Sequence, residues 1–537
     1  MRLLALLVAL SVLGFGCSST DGGSGGTAGA GGTGGSDAND MVRADQFLIP
    51  GFVPAANPET DENTPSELNQ ARVVRYIAAD DPSPAPRAII IAVPGFLGGG
   101  PSFDGLARSI VRRSAEDGFP VEVWAIDRRS NGMEDLTGMN AAEREGDAEI
   151  AWDYYFGEGE ADGRTFAGYV PQADASYMSE WGLETHLEDL RAVLDLIPEA
   201  QQRGHVFLAG HSFGASLVEL YAAWRFKADD KRGFDQIAGM IFLDGLMGDT
   251  PTQQEDFMAD LADIRTSNRY TTLPLLGIDV YTSAEIVALR TWFDPSGIID
   301  DPVRDTTLEI LFGLGVNQMP EATNIATLGL AFDSMHQPLS FSRTTLGTLT
   351  GGPTEDFTFP LAGDDVLQRP SDPDATYDWI DAFDSDPKEF TPARNLARSF
   401  TIGDSNFAEW YFPQRISLDA GAARGGNVDE AGWQVAYGIR AFDGELNDAP
   451  ALCILARNAD RCDALRTRLA PTIGPGRPQA GATRDSDLGV TAIEAVGMAH
   501  LDLILSDERA EANLVPNAVA TFLETHTDPG TITLPAL

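Results

Sequence analysis

The pentapeptide Gly210-His211-Ser212-Phe213-Gly214 sets a hydroxyl between two glycines, after the apolar run Val206-Phe207-Leu208-Ala209 and before Ala215 to Tyr221, whose apolar residues recur at helical spacing. A strand that ends in G-x-S-x-G and passes directly into a helix presents its serine on a strained reversal, at a helix N-terminus that favours developing negative charge. Glycine belongs at both flanks because a Cβ there meets the neighbouring strand or helix. A chain with 55 glycines contains such patterns by chance, so the strand and helix on either side are what make this one informative. A serine hydroxyl is a poor nucleophile near neutral pH. It needs an imidazole to accept its proton, and that imidazole needs a carboxylate on its other nitrogen to fix the tautomer and stabilise the cation.

The elements that must bring such groups together follow in chain order. Arg72–Ala79 alternates as a partly exposed strand, and Arg87–Val93 is continuously apolar, as a strand buried on both faces must be. The latter runs into Pro94-Gly95-Phe96-Leu97-Gly98-Gly99-Gly100, after which a helix opens with Leu106, Ile110 and Val111 on one side. The lysine and hydroxyl of a phosphate-binding loop are missing, and G-x-G-x-x-G is not matched. The loop suits half of an oxyanion hole instead, with the amide of Phe96 (alternatively Leu97) as one donor and that of Phe213 as the other.

Pro94-Gly95-Phe96 together with Gly210-His211-Ser212-Phe213-Gly214 resembles the α/β-hydrolase fold, although many members carry His-Gly where this chain has Pro94-Gly95. The resemblance implies an α/β architecture: a mostly parallel central sheet flanked by helices, with a long, mainly helical cap inserted after the sixth strand. Pro120–Ile126 is the next strand, and the charged run from Asp127 to Asp135 behind it reads as an internal ion-pair network. Leu183, Leu187, Leu190, Leu194 and Ile197 form the apolar stripe of a helix, with His186 off the stripe and expected at the surface. Gln236–Leu243 is the sixth strand and ends at Asp244. The sheet is expected to resume at Gln434–Phe442, ending at Asp443, and to finish with Val490–Val496 running into His500, before a closing helix over Ala510–Thr525.

Within that fold the base is found among six histidines. His205 lies inside the elbow strand, His211 points away from Ser212, His186 and His336 lack strand-edge contexts, and His526 follows the last helix; His500 remains. Asp443 gives the order Ser, Asp, His that the resemblance implies, and Asp244 is the alternative acid. The resemblance thus implies a serine hydrolase that cleaves carboxylic esters through an acyl-enzyme. An amidase or peptidase using the same triad, and a catalytically silent binding protein on this scaffold, are the other readings. Tyr281, Trp292, Phe293, Phe312, Phe332 and Trp410 supply the cap's own core, with others left to line an acyl pocket. The aspartates from Asp372 to Asp386 do not meet the calcium-loop pattern, so neither a metal nor a cofactor is expected.

The formal charge of −44 repels phosphate backbones and anionic surfaces, which argues against nucleic acid as a partner class. Met1-Arg2, an apolar centre from Leu3 to Leu10 and the ending Gly16-Cys17 read as an export signal resembling that of bacterial lipoproteins, in which the cysteine is lipidated. Residues 18–40 are almost all Gly, Ser, Thr, Ala and Asp, a flexible tether. The expected organisation is a signal peptide (1–16), Cys17 and tether (17–40), a first part of the hydrolase core (41–245), a cap (246–432) and a second part of the core (433–537). An exported, membrane-anchored protein facing the periplasm or cell surface follows, with plain secretion as the alternative. Export places Cys453 and Cys462 in an oxidising compartment, where they are expected to pair. Oligomeric state is not legible.

Overall fold

Two largely apolar strands, Ala88–Val93 and Val206–His211, lie side by side near the middle of an eight-stranded sheet, every residue of both buried. The computed structural model describes residues 41–79, 85–271, 279–298, 320–359, 362–468, 489–510 and 512–534. In chain order the sheet strands are β1 (Val42–Pro50), β2 (Gln70–Ala78), β3 (Ala88–Val93), β4 (Val121–Asp127), β5 (Val206–His211), β6 (Gly239–Leu243), β7 (Ala451–Leu455) and β8 (Val490–Glu494). Their spatial order is β1-β2-β4-β3-β5-β6-β7-β8. β2 is antiparallel to both of its neighbours, and every pairing from β4 to β8 is parallel. The C-terminal ends of β3, β5, β6 and β8 therefore share one rim, where a parallel sheet keeps its chemistry. Helices α1 (Asp104–Glu116), α2 (Leu183–Leu194), α3 (Phe213–Ala223) and α4 (Val515–His526) flank it, α1 against β2, β4 and α4, and α3 against β5 and β6.

Two features depart from the sequence reading. The first strand, β1, was not anticipated; its mostly half-exposed residues pair with β2 from Val42 opposite Ala78 to Pro50 opposite Gln70. The strand expected over residues 434–442 does not form. Trp433–Tyr437 is a 3₁₀ turn closed by Gly438 in the left-handed region at φ 84°, and the sheet resumes only at Ala451–Leu455. The excursion from the sheet thus runs on through Pro450.

That excursion carries the helices Gln254–Thr266, Asp279–Phe293, Asn324–Phe332, Ala393–Ser399 and Gln414–Ala422. It also carries two small sheets, the hairpin Thr354–Thr358 with Val366–Pro370, and Thr376–Asp381 between Glu321–Ala322 and Gly347–Thr350. Tyr281, Phe332, Trp410, Tyr411 and Phe412 are buried in or beneath it. Cys453 in β7 is disulfide-bonded to Cys462. Phe312, the apolar leader, Cys17 and the tether lie outside the described residues. Among the described residues no helix is long and apolar enough to cross a membrane.

Candidate active site

Ser212 follows β5 and precedes α3 with φ 54° and ψ −121°, a backbone conformation that L-residues rarely adopt. Its amide donates to the Leu243 carbonyl at 2.9 Å, which ties the reversal to β6. The glycines are sterically compelled: a Cβ on Gly210 would lie 2.3 Å from the Gly214 oxygen, and one on Gly214 would lie 2.1 Å from the Val93 oxygen of β3. Leu97 and Asp244 are also in the left-handed region, at φ 59° and 45°. All three strained residues line the same cavity. Strain of this kind persists only where surrounding structure over-determines it, and it gathers at functional sites.

His500 stands on the loop after β8, and its Nδ1 is 2.5 Å from Oδ2 of Asp244, at the end of β6. The other Asp244 oxygen accepts the Ala456 amide, beyond the end of β7, at 3.0 Å. Burial alone would raise the Asp244 carboxyl, but the hydrogen bond and charge of His500, helped by the Ala456 amide, hold it below the ordinary carboxylate range. It is ionised at neutral pH. The expectation that Asp443 approaches His500 is corrected. Asp443 accepts two hydrogen bonds from Arg225, at 2.8 and 2.5 Å, and its amide donates to the Ala223 carbonyl at the far end of α3. An eleven-residue helix is roughly 16 Å long, so Asp443 and Ser212 belong to opposite ends of it. The cause is the missing strand: without it, Asp443 never reaches the rim.

Three of the remaining histidines bond backbone carbonyls. His211 donates from Nε2 to the His500 carbonyl at 3.0 Å and lies ring against ring with it, centroids 4.5 Å apart. Burial, then the neighbouring His500, pushes its pKa down to about 3, so it braces the loop as a neutral ring. His205 and His336 bond the carbonyls of Arg87 and Gln368. His186, expected at the surface, is buried, and burial beside Arg128 and Arg129 pushes it down to about 3. The run after β4 is the internal ion-pair network the sequence suggested: Arg128 pairs with Glu409 at 2.7 Å and Arg129 with Asp189 at 2.6 Å, all four buried.

Ser212, His500 and Asp244 open into a cavity of about 160 Å³. Phe96, Leu97 and Phe213 line it from the core, and Tyr281, Phe332, Phe341, Phe400 and Phe407 from the excursion. The excursion grips the loops after β3 and β8. Gly98 forms a β-bridge with Ala408, the Gly99 amide donates to the Phe407 carbonyl and the Glu409 amide to the Leu97 carbonyl. On the other side the Leu501 amide donates to the Arg343 carbonyl, and the buried Asp502 accepts from the hydroxyls of Thr344, Thr345 and Thr391. Sequence reasoning did not find Glu409 or Asp502 as supports. Nothing in their spacing marks them, because their partners are more than a hundred residues away.

Strand order and direction, together with the reversal at Ser212, give the class: the chain has the α/β-hydrolase fold. No family model matches the sequence, and no curated protein does. Among solved structures it is similar to a putative lipase from Sulfolobus solfataricus, at 14% identity and TM-score 0.41 over 91% of this chain and 95% of that one. A peroxisomal alpha-beta-hydrolase from Saccharomyces cerevisiae is 8% identical, with TM-score 0.37 over 93% and 94%. A thermophilic esterase from Thermogutta terrifontis is 12% identical, with TM-score 0.31 over 90% and 100%. With similarity this distant, what the chain does must be argued from its own site.

Proposed function

We propose that this chain is a serine hydrolase of carboxylic esters. The observation that carries the reading is the short Nδ1 contact of His500 with Asp244 in a cavity that also holds Ser212 on its strained turn. The Ser212 hydroxyl gives its proton to Nε2 of His500 as its Oγ attacks the acyl carbon. Asp244 stabilises the imidazolium, and the amides of Phe96 and Phe213 take the oxyanion, with Leu97 the alternative donor. His500 then protonates the leaving alcohol, and a water deprotonated by the same ring releases the acid. The lining is mostly aromatic and aliphatic, which suits the acyl group of an ester. Its volume matches the ~150 Å³ of a cavity that holds one benzene, so short acyl or aryl groups fit best.

A fluorophosphonate probe is expected to label wild-type protein at Ser212, located by peptide mass spectrometry, and short aryl esters to be hydrolysed. Absence of both would favour the silent binding protein. Turnover of the matched anilides at rates comparable to the esters would favour the amidase reading.

Export and lipidation at Cys17 belong to the same proposal, supported by the leader sequence and by the disulfide, a bond that persists in oxidising compartments. Palmitate supplied to expressing bacteria is expected to label the wild type and not Cys17→Ser. An unlabelled wild type would leave secretion as the route.

A further inference from the structure

We propose that the ester cleaved here bears an anionic group on its alcohol side and that Arg461 receives it; this rests on the hydrolase reading above and names its substrate class. Among the described residues that line the cavity, two carry a formal charge near neutral pH with histidine neutral, Asp244 and Arg461. Asp244 is committed to His500 and the Ala456 amide. Arg461 is exposed at the opening, and among the described residues it has no acidic partner and no side-chain hydrogen bond. Arg128, Arg343 and Arg468, by contrast, are all held in ion pairs.

The backbone that carries Arg461 is fixed. Its amide donates to the Asn458 carbonyl at 3.1 Å, and the next residue, Cys462, is fully buried and disulfide-bonded to Cys453 in β7. The fixed backbone confines the ordering cost to the side chain's own rotamers, and the planar guanidinium fork matches the two oxygens of a carboxylate at once. The side of the reaction follows from the same segment. Residues 456–462 begin with the amide that holds Asp244, so Arg461 belongs to the His500 side, where the leaving alcohol is protonated. The aromatic walls from the excursion are left for the acyl group. With a formal charge of −44 the chain offers anions no general attraction, so a preference for them has to be local.

The test compares 4-carboxyphenyl acetate with 4-carbamoylphenyl acetate, which differ in charge and little in size. The ratio of their kcat/KM values is expected to fall about 2- to 5-fold in Arg461→Gln, the range for an ion pair at a solvated opening, and to be partly kept in Arg461→Lys. Phenyl hydrogen succinate against phenyl butanoate puts the charge on the acyl side, and that ratio is expected to stay put. An unchanged carboxyphenyl ratio overturns the proposal, and so does a fall confined to the succinate pair. If the carbamoyl ester is hydrolysed and Ser212 is labelled, either failure concerns Arg461 alone. If neither happens in the wild type, the hydrolase reading itself has failed.

Discussion

Asp244→Asn is expected to lower kcat for a short aryl ester about 10,000-fold, the loss seen when a triad imidazole loses its carboxylate and is held in the wrong tautomer. An asparagine that donates to Nδ1 would force the ring to carry its proton on Nε2, where the base must accept the serine's. The geometry isolates the effect: Oδ2 of Asp244 is the atom facing Nδ1, while Oδ1 takes the Ala456 amide, so the isosteric change spares most of the packing. Fluorophosphonate labelling should slow in parallel, because it too needs the base. Asp443→Asn makes the opposite pattern. It weakens the partly buried pair with Arg225 and should lower Tm, yet turnover by the folded fraction should stay within a few-fold of wild type. Near-normal turnover by Asp244→Asn with collapse in Asp443→Asn would reverse the assignment.

That reversal of acids shows where the sequence was legible. Strand β3 and the Val206–Ala209 stretch of β5 are unbroken apolar runs, and the turn at Ser212 has a residue pattern with a steric cause, so core and turn could be read directly. Val435, Tyr437 and Ile439 alternate like a strand, but Gly438 falls between the last two, and a glycine at φ 84° ends a turn. The true strand, Ala451-Leu452-Cys453-Ile454-Leu455, is wholly buried and unbroken in its apolar character; its cysteine drew attention to the disulfide instead. Choosing the wrong strand put Asp443 beside His500 in place of the alternative, Asp244. His186 was misplaced for another reason: α2 buries Thr185, His186, Asp189 and Arg191 as well as its leucines, and an apolar stripe predicts only one packed face. Contacts across the excursion were out of reach, since Arg128 and Glu409 are 281 positions apart.

The pairing of Arg128 with Glu409 leads to the second large effect. The Arg128 guanidinium donates to the carbonyls of Pro94, Gly95 and Gly98 at 2.7, 2.9 and 2.9 Å and to Glu409 at 2.7 Å. It also lies over the ring of Phe412, which packs against Phe96 and Phe213, the two residues assigned the oxyanion amides. One side chain thus fixes the loop's carbonyls on one face and so aims its amides on the other. Burial pushes the Glu409 carboxyl up, and Arg128 with the Ser130 hydroxyl draws it back, so removing the cation strands a buried acid. Arg128→Met is expected to cost about 3–5 kcal/mol of stability by leaving that acid unpaired. In the folded fraction kcat should fall on the order of 100-fold with little change in KM, since a displaced donor is felt mainly in the transition state. A boronic acid that mimics the tetrahedral oxyanion should lose affinity to a similar degree. Arg128→Lys keeps the charge but not the planar fork, and should recover stability better than turnover. The double variant Arg128→Met, Glu409→Gln separates the two effects: with the stranded acid gone, Tm should rise while kcat stays low. Recovery of both would mean that Arg128 only neutralises Glu409 and does not aim the loop.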